Sequence, residues 1–272
     1  MKEKHKIGVT PFLGNRADFP ILALKNVTKR FGGVTALEGI GFTVERGKIV
    51  SLIGPNGAGK TTLFNCMTGL SFPESGTVYF KDILLNRLYP YQIAVKGIAR
   101  TFQTIRLFRQ MTVLENVLVG AHAMARGNFW DMLFQPRWLG EEEKRLRAHA
   151  AHWLEFFGLG GKAQMLACNL SYGHQRKLEI ARALASDPKL LLLDEPAAGM
   201  NPKEKEELLV LVRAIRERGV TILLIEHDMK VVMPISDRVV VLDYGKKIAE
   251  GTPREIQSHP LVIEAYLGKR DA

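Results

Sequence analysis

Residues 54–61 constrain the fold of this chain more than any other segment. They read Gly-Pro-Asn-Gly-Ala-Gly-Lys-Thr, a glycine and four further residues followed by Gly-Lys-Thr. An apolar run, residues 49–53, comes directly before them, and a segment typical of a helix, residues 62–67, follows. A strand, a glycine loop and a helix in this order form a phosphate-binding loop. Glycines let the backbone wrap closely around an anion, and the N–H groups at the start of the helix point at it.

The chemistry expected of this loop follows from its residue types. The residues predicted to bind phosphate are Gly54, Pro55, Asn56, Gly57, Ala58, Gly59, Lys60 and Thr61. The Lys60 ammonium is expected to reach the terminal phosphates of a nucleotide, and the Thr61 hydroxyl to hold Mg²⁺. The alternative is a plain glycine turn between a strand and a helix, and the Lys-Thr pair in this context argues against it.

Length and composition set the outer limits. The chain has 272 residues, enough for one large domain or two small ones, and its 46% hydrophobic content is ordinary for a globular protein. No apolar run reaches the roughly 18–20 residues of a membrane span. The two cysteines, Cys66 and Cys168, indicate a reducing cytosol and no disulfide framework. Residues 1–19 lack the apolar core of a secretion signal and are predicted to form a tail before the fold.

The formal net charge of +10 favours an anionic partner such as nucleic acid, a lipid surface or a nucleotide. Half of this charge falls between residues 81 and 109, where six basic residues face one acid, Asp82. The six are Lys81, Arg87, Lys96, Arg100, Arg106 and Arg109. Two interpretations stay open, a solvated face and a surface that meets a partner.

Hydrophobic periodicity gives the order of elements. Strands are predicted at residues 21–31, 36–44, 48–53, 76–80, 98–102, 190–193, 220–225 and 238–242. Helices are predicted at residues 112–125, 141–157, 173–186, 203–218, 253–258 and 261–267, the second with an acidic first turn that suits the helix dipole. Strands and helices alternate before about residue 70 and after about residue 187. This pattern predicts an α/β nucleotide-binding core, a parallel sheet with helices on both faces, interrupted by a helical part.

Two acids end the apolar strand at residues 190–193. Asp194 and Glu195 follow four leucines, and a carboxylate at the carboxyl end of a strand lies beside the phosphate loop in an open α/β sheet. Asp194 is therefore predicted to support Mg²⁺, and Glu195 to polarise the attacking water, since phosphoryl transfer needs charge neutralisation and an oriented nucleophile.

Two further polar residues also stand at the ends of predicted strands. Gln103 follows the strand at residues 98–102, and His227 follows the strand at residues 220–225. Both are candidates for the same sheet edge near the γ-phosphate, although a strand-end residue of these types is usually only solvated. His149 and His152 stand three apart on a predicted helix without further ligands, so we propose no metal site there.

A family resemblance rests on residues 170–184. Leu-Ser-Tyr-Gly-His and the helix after it resemble the signature segment of ABC-type ATPases, and the resemblance spans about residues 20–270. It implies a P-loop NTPase (RecA-like) α/β core with an antiparallel β subdomain and an inserted α-helical subdomain. The expected boundaries are a single ABC ATPase domain over residues 20–272, with its core at about 20–103 and 187–272 and the helical subdomain at about 104–186.

The same resemblance implies a set of residue roles toward ATP and Mg²⁺. Phe31 would stack on adenine, and Thr62 would join the phosphate-binding residues 54–61. Gln103 would sense Mg²⁺ and the attacking water, Asp194 would support Mg²⁺, and Glu195 would be the general base. His227 would contact the γ-phosphate, and Ser171 and Gly173 would cap the γ-phosphate of ATP bound to the opposite protomer. Tyr172, His174 and Asn201 depart from the family's common residues, which are glycine, glutamine and aspartate.

Several segments are similar to the larger ATPase subunit of importers for branched-chain and other hydrophobic amino acids. These are Leu-Ser-Tyr-Gly, residues 99–103, residues 194–202 and the ending at residues 259–268, and residues 124–140 look like an insertion typical of that subunit. The resemblance implies transmembrane permease subunits, an extracytoplasmic solute-binding protein as an indirect partner, and peripheral attachment to the cytoplasmic face of the inner or plasma membrane. It also implies a head-to-tail dimer with a second ABC ATPase, which is a paralogue or a second copy. No nucleic-acid partner is expected.

The docking surface expected for the permeases runs from Arg106 through Phe108 to Trp138. Two alternative functions stay open. One is the ATPase of a lipid or lipopolysaccharide exporter. The other is a soluble ABC ATPase acting on nucleic acid or ribosomes, against which stands the lack of a second ATPase domain or a long coiled coil in this sequence.

Overall fold

Two β-sheets carry the described part of the chain, which in this computed structural model is residues 19–122 and 137–267. The larger sheet has six strands in the order β10-β9-β3-β8-β7-β6. Its strands are β3 (Ile49–Ile53), β6 (Ile98–Arg100), β7 (Leu190–Asp194), β8 (Thr221–Ile225), β9 (Arg238–Asp243) and β10 (Lys246–Gly251). β9, β3, β8, β7 and β6 pair in parallel, and β10 is antiparallel to β9. The central strands are buried on both faces, as their continuous apolar sequences predict.

The smaller sheet has four antiparallel strands in the order β2-β1-β4-β5. They are β1 (Leu22–Phe31), β2 (Val34–Val44), β4 (Ser75–Phe80) and β5 (Ile83–Leu84). β1 and β2 form a hairpin that turns at residues 32–33. Gly76 in β4 has a φ of 81°, and a Cβ there would lie 2.2 Å from the Asn26 carbonyl oxygen, so only glycine lets β4 approach β1 this closely.

Nine α-helices lie within the described residues. They are α1 (Lys60–Met67), α2 (Pro90–Val95), α3 (Val113–Ala121), α4 (Arg137–Phe156), α5 (Tyr172–Leu184), α6 (Pro202–Glu217), α7 (Met229–Ile235), α8 (Pro253–Gln257) and α9 (Pro260–Leu267). None of the helices within residues 19–122 and 137–267 combines the length and the apolar character needed to cross a bilayer.

Alternation along the central strands divides the core into two main clusters. Leu190 and Leu192 of β7 face a cluster that contains α1 and the small sheet. Leu191 and Leu193 face the opposite cluster, built by α3, α4, α5 and α6. Successive side chains of a strand point to opposite faces, so one strand stabilises both layers. Helices cover one face as predicted, whereas α1 and the antiparallel sheet together cover the other.

Most of the predicted elements are confirmed, and the differences have local causes. β5, β10, α2 and α7 were not predicted, and α7 contains Pro234, a residue that sequence patterns treat as a helix breaker. The prediction that α4 starts with an acidic turn is wrong. The helix is already formed at Arg137, which places Glu141 in its second turn, away from the dipole end.

Some predictions are not tested by the fold. The predicted N-terminal tail and most of the insertion at residues 124–140 fall outside the described residues. The division into a core and a helical subdomain at about residues 104 and 186 stays a prediction.

Truncating a buried side chain far from the phosphate loop tests whether the helical layer shares one core with the sheet. Leu154 of α4 is fully buried in the cluster that also holds β7 and β8. We expect Leu154→Ala to lower the free energy of unfolding by about 2–5 kcal/mol, because the lost contacts leave a cavity.

Urea unfolding followed by circular dichroism measures the change. The matched control is Val210→Ala on α6, where the side chain is 63% exposed, and its effect should stay within about 0.5 kcal/mol. Equal effects of the two changes would contradict a shared core.

Candidate active site

The phosphate-binding loop occupies the turn between β3 and α1, and its glycines are required by contacts with neighbouring backbone. Gly54 has a φ of 151°, and a Cβ there would lie 2.1 Å from the Leu242 carbonyl oxygen. Gly59 has a φ of 97°, and its Cβ would lie 2.6 Å from the Ala36 carbonyl oxygen. The loop is therefore held tightly between β9 and β2, with the N-terminus of α1 at its end.

Lys60 is the first residue of α1 and is almost fully buried. Its ammonium donates hydrogen bonds of 2.8 Å to the carbonyl oxygens of Gly54 and Pro55. Burial lowers the pKa of Lys60, and the charges of Glu195 and Asp194 raise it in opposition. The loop, the ammonium and the two acids thus lie within electrostatic reach of one another.

Asp194 ends β7 and is buried against Arg100. Arg100 Nη2 donates to Asp194 Oδ2 over 2.9 Å, and Nη1 donates to Asn65 Oδ1 at 2.8 Å and to Thr68 Oγ1 at 3.1 Å. Burial raises the pKa of Asp194 although the Arg100 guanidinium lowers it. One of the six bases of residues 81–109 is thus an internal counter-ion, which corrects its assignment to a surface.

Three predicted residues meet at one carboxylate oxygen. Gln103 Nε2 donates to Glu195 Oε2 over 3.1 Å, and His227 Nδ1 lies 3.5 Å from the same oxygen. The Glu195 N–H donates to the Ile225 carbonyl oxygen at 2.9 Å, which ties the end of β7 to the end of β8. Glu195 has a φ of 46°, a conformation uncommon outside glycine that is concentrated at functional sites.

Glu226 is a residue of this site that the sequence reasoning missed. It is 1% exposed and accepts hydrogen bonds from the N–H groups of Ala197 at 2.9 Å and His227 at 3.3 Å. Burial raises the pKa of its carboxyl group. The signal was present, since an acid directly after an apolar strand is the pattern that identified Asp194. Its contacts join the loops that follow β7 and β8.

Ser171 and Gly173 lie at the start of α5. Ser171 Oγ is 2.9 Å from His174 Nδ1, and a Cβ on Gly173 would lie 2.6 Å from Glu204 Oε1. Burial first, then the nearby Lys162, lowers the pKa of His174, which favours the neutral imidazole. These contacts place Ser171 and Gly173 beside His174 and α6.

The remaining predicted residues are solvent-accessible. Phe31 ends β1 and is 53% exposed, with Lys29 Nζ 5.0 Å from its ring centroid. Thr61 is exposed and Thr62 is partly buried in the first turn of α1. Asn201 caps α6, with its side chain accepting from the Glu204 N–H at 3.0 Å, so this departure from the family residue keeps the capping function.

Removing the counter-ion of Asp194 tests the electrostatics of the site. We expect Arg100→Met to lower the free energy of unfolding by about 3–5 kcal/mol at neutral pH, because a buried carboxylate loses its partner. An acid whose folded pKa is raised costs the folded state nothing below its unfolded pKa of about 3.9, and the cost grows as the pH rises from that value to the folded pKa, above which it is constant. The deficit should therefore shrink as the pH is lowered from 8 toward 4.

Denaturant unfolding at several pH values measures both effects. Arg106→Met is the matched control, because Arg106 is exposed and also lies over the Phe102 ring, with 4.3 Å between guanidinium carbon and ring centroid. A deficit independent of pH would show that Asp194 is not the group involved.

Comparison with known proteins adds the family. Residues 37–198 match the family model described as ABC transporter, and residues 246–272 match the one described as branched-chain amino acid ATP-binding cassette transporter. The chain is 48% identical over 251 residues to the high-affinity branched-chain amino acid transport ATP-binding protein BraF of Pseudomonas aeruginosa, covering 92% of this chain and 98% of the relative. It is 49% identical over 252 residues to the corresponding protein LivG of Escherichia coli, with the same coverage.

Solved structures agree with this assignment. A crystal structure of the ADP conformation of an ATP-binding cassette of an ABC transporter superposes with a TM-score of 0.81 and 36% identity, covering 92% of this chain and all of that one. A dimeric bacterial ABC transporter cassette superposes with a TM-score of 0.73 and 30% identity, covering 86% and 99%. The predicted fold class is confirmed, and the chain belongs to the ABC transporter family as one of its ATP-binding, ATP-hydrolysing cassettes.

Proposed function

We propose that this cassette drives the import of branched-chain and other hydrophobic amino acids through transmembrane permeases. The printed names of relatives at about half identity over most of the chain support this substrate class. The match of the C-terminal residues 246–272 to a family of branched-chain amino acid cassettes supports it independently. The observation that carries the hydrolytic role is the meeting of Gln103 and His227 at Glu195 Oε2.

In this proposal residues 54–62 hold the phosphates of ATP. Backbone N–H groups of the loop and of the first turn of α1 face the anion, and the Lys60 ammonium neutralises the terminal phosphates. The exposed ring of Phe31 is a flat apolar surface on which adenine stacks.

The oxygen donors of the site fit Mg²⁺. Thr61 supplies a hydroxyl, Asp194 a carboxylate and Gln103 an amide oxygen, and magnesium prefers such ligands. Gln103 uses its Nε2 to hold Glu195, which leaves its Oε1 as the acceptor atom of the same amide. When bound, the ion would neutralise charge that develops on the transferring phosphoryl group.

Glu195 acts as the general base in this mechanism. Its carboxylate takes a proton from the attacking water while the water oxygen bonds to the γ-phosphorus and the bond to ADP breaks. Gln103 holds the carboxylate in place, and His227 faces both the carboxylate and the γ-phosphate. The hydrogen bond from the Glu195 N–H to the Ile225 carbonyl oxygen keeps Glu195 at the sheet edge.

The second half of each site would come from another cassette. Ser171 contacts His174 and Gly173 lies against Glu204, and a head-to-tail dimer would place both residues against the γ-phosphate held by the partner. A related cassette is dimeric in its solved structure, which supports such an arrangement. The partner is a paralogue or a second copy, and the permeases hold the pair at the cytoplasmic face of the membrane. Solute specificity then resides in the permeases and an extracytoplasmic binding protein.

Neutralising the proposed base separates binding from hydrolysis. We expect Glu195→Gln to keep ATP binding and to lower kcat by roughly 10²–10⁴-fold, the range of general-base contributions. Lys60→Ala should instead lose nucleotide affinity itself, because the phosphates lose their ammonium partner.

Equilibrium binding of a fluorescent ATP analogue and steady-state phosphate release provide the two readouts. Glu206→Gln on the exposed side of α6 is the control for loss of a carboxylate and should match the wild type. Turnover near the wild-type rate in Glu195→Gln would remove Glu195 from the base role.

The proposed permease contact uses exposed residues after Gln103. Arg106 and Arg109 are exposed, and Phe108 between them is 48% exposed, whereas the side chain of Trp138 falls outside the described residues. We expect Arg106→Glu together with Arg109→Glu to release the permeases while sparing ATP hydrolysis, because reversed charge opposes docking outside the hydrolytic site.

Gentle detergent extraction of membranes that hold the tagged chain, followed by mass spectrometry, tests both the function and the surface. The wild type should retain two multi-span permeases and a second, smaller ATPase, and Arg87→Glu is the matched control from the same basic stretch. Ribosomes or nucleic acid in place of membrane proteins would contradict the proposed function. Retention of permeases by the double variant would contradict only the surface.

A further inference from the structure

A buried ion pair lies in the first turns of α5, away from the nucleotide loop. Arg176 is 0% exposed and Glu179 is 1% exposed, and Arg176 Nη1 donates to Glu179 Oε2 over 2.8 Å. Burying two charges costs more free energy than burying two apolar side chains of the same volume. A buried ion pair is therefore weak evidence for stability. Its neighbours show what it does instead.

The pair holds the segment that carries Gln103 from both ends. Arg176 donates to the carbonyl oxygens of Phe102 at 2.7 Å and Gln103 at 2.8 Å. Glu179 Oε1 accepts from the Arg106 N–H at 3.2 Å and the Phe102 N–H at 3.5 Å. The guanidinium thus binds carbonyl oxygens, and the carboxylate binds N–H groups, of the short loop at residues 102–106. The Gln103 side chain extends from this loop to Glu195.

Tyr172 extends the same contacts to the loop after Glu195. Gly199 in that loop has a φ of 74°, and a Cβ built on it would lie 3.1 Å from Tyr172 Cε1, so the ring is in contact with the loop. The Tyr172 hydroxyl accepts from Arg176 Nη2 over 3.3 Å. Tyr172 replaces a glycine of the family signature, and a glycine makes neither contact.

We propose that Tyr172, Arg176 and Glu179 are positioning residues that hold the Gln103 amide against Glu195, and we name these three residues the α5 clamp. The clamp joins the loops that carry the two groups, so that Gln103 and Glu195 keep one relative position. This inference rests on the proposed roles of Gln103 and Glu195. It also gives Tyr172 a role that the signature glycine cannot perform.

A spin label on the clamped loop tests the positioning directly. Thr104→Cys introduces a thiol for a nitroxide label on an exposed residue beside Gln103. The full chain also carries Cys168→Ser to remove the partly exposed native thiol, and the other native cysteine, Cys66, is buried. Arg176→Met with Glu179→Leu removes the clamp charges and keeps apolar volume. The spectrum should then show a more mobile label. Lys177→Met with Glu207→Leu removes a 2.7 Å ion pair that joins α5, one residue beyond Arg176, to α6, and should leave the label restricted.

Turnover separates positioning from general stability. The clamp variant should lower kcat by roughly tenfold or more with KM for ATP within about twofold, because misplacing a catalytic group costs rate while the phosphate loop is intact. In a Gln103→Ala background the same change should lower kcat no further, since the clamp acts through Gln103. Losses that multiply in the combined variant would overturn the proposal.

The outcomes also separate the clamp from the proposed function. If Gln103→Ala alone leaves kcat unchanged, the role proposed for Gln103 fails, and the label still decides whether the loop is held. A label that stays restricted in the clamp variant overturns the clamp even where Gln103→Ala is inactive. If the apolar pair does not fold, Arg176→Lys replaces it, because lysine keeps the ion pair with Glu179 and cannot reach both carbonyls. A restricted label in Arg176→Lys with wild-type kcat would equally overturn the proposal.

Discussion

The parallel register of β3, β8, β7 and β6 is the constraint on which the site depends. Leu52 pairs with Ile225, and Ile225 pairs with Asp194, so these three strands end at one level. The phosphate loop, Glu226 and Glu195 therefore leave the sheet at the same edge. β6 is the next strand beyond β7, and its last residue, Arg100, lies opposite Leu192. The chain therefore leaves β6 at the same edge of the sheet, toward Gln103. Residues separated by more than a hundred positions meet because strand ends coincide.

Buried charged side chains are concentrated around the edge of the six-stranded sheet from which these loops leave. Arg100 neutralises Asp194, Arg176 neutralises Glu179, and Lys60 lies on two carbonyl oxygens within reach of both acids. In a low-dielectric setting each such group is stabilised only by partners at fixed distance, so each one also fixes the loop it touches. The polar contacts of the site therefore also hold its loops to one another.

The sequence predicted what depends on local pattern. The loop at residues 54–61 was found because its motif is contiguous, and Asp194 and Glu195 because they end an apolar strand. For Gln103 and His227 the sequence predicted only a common sheet edge, and their meeting at Glu195 is seen in the structure alone. Arg100 was misread as a surface base, since nothing in its neighbours announces a buried partner 94 positions away. The pair Arg176 and Glu179, three apart on a helix, has the spacing of an ordinary solvated pair, and only tertiary packing buries it.

Side chains that hold loops together differ in solvent exposure from most of those proposed to meet a ligand or partner. The side chains that hold loops to one another, those of Arg100, Arg176, Glu179 and Glu226, are buried. Of the groups proposed to meet a nucleotide or a second cassette, Phe31, Thr61, Gln103 and Ser171 are exposed, whereas Lys60 and Gly173 are buried. α5 joins the two sets, because Ser171 lies at its exposed start and Arg176 is buried one turn later. In the proposed dimer, a contact between Ser171 and the partner's nucleotide would therefore act on the helix that also contacts the Gln103 loop, and α5 would connect the two sites.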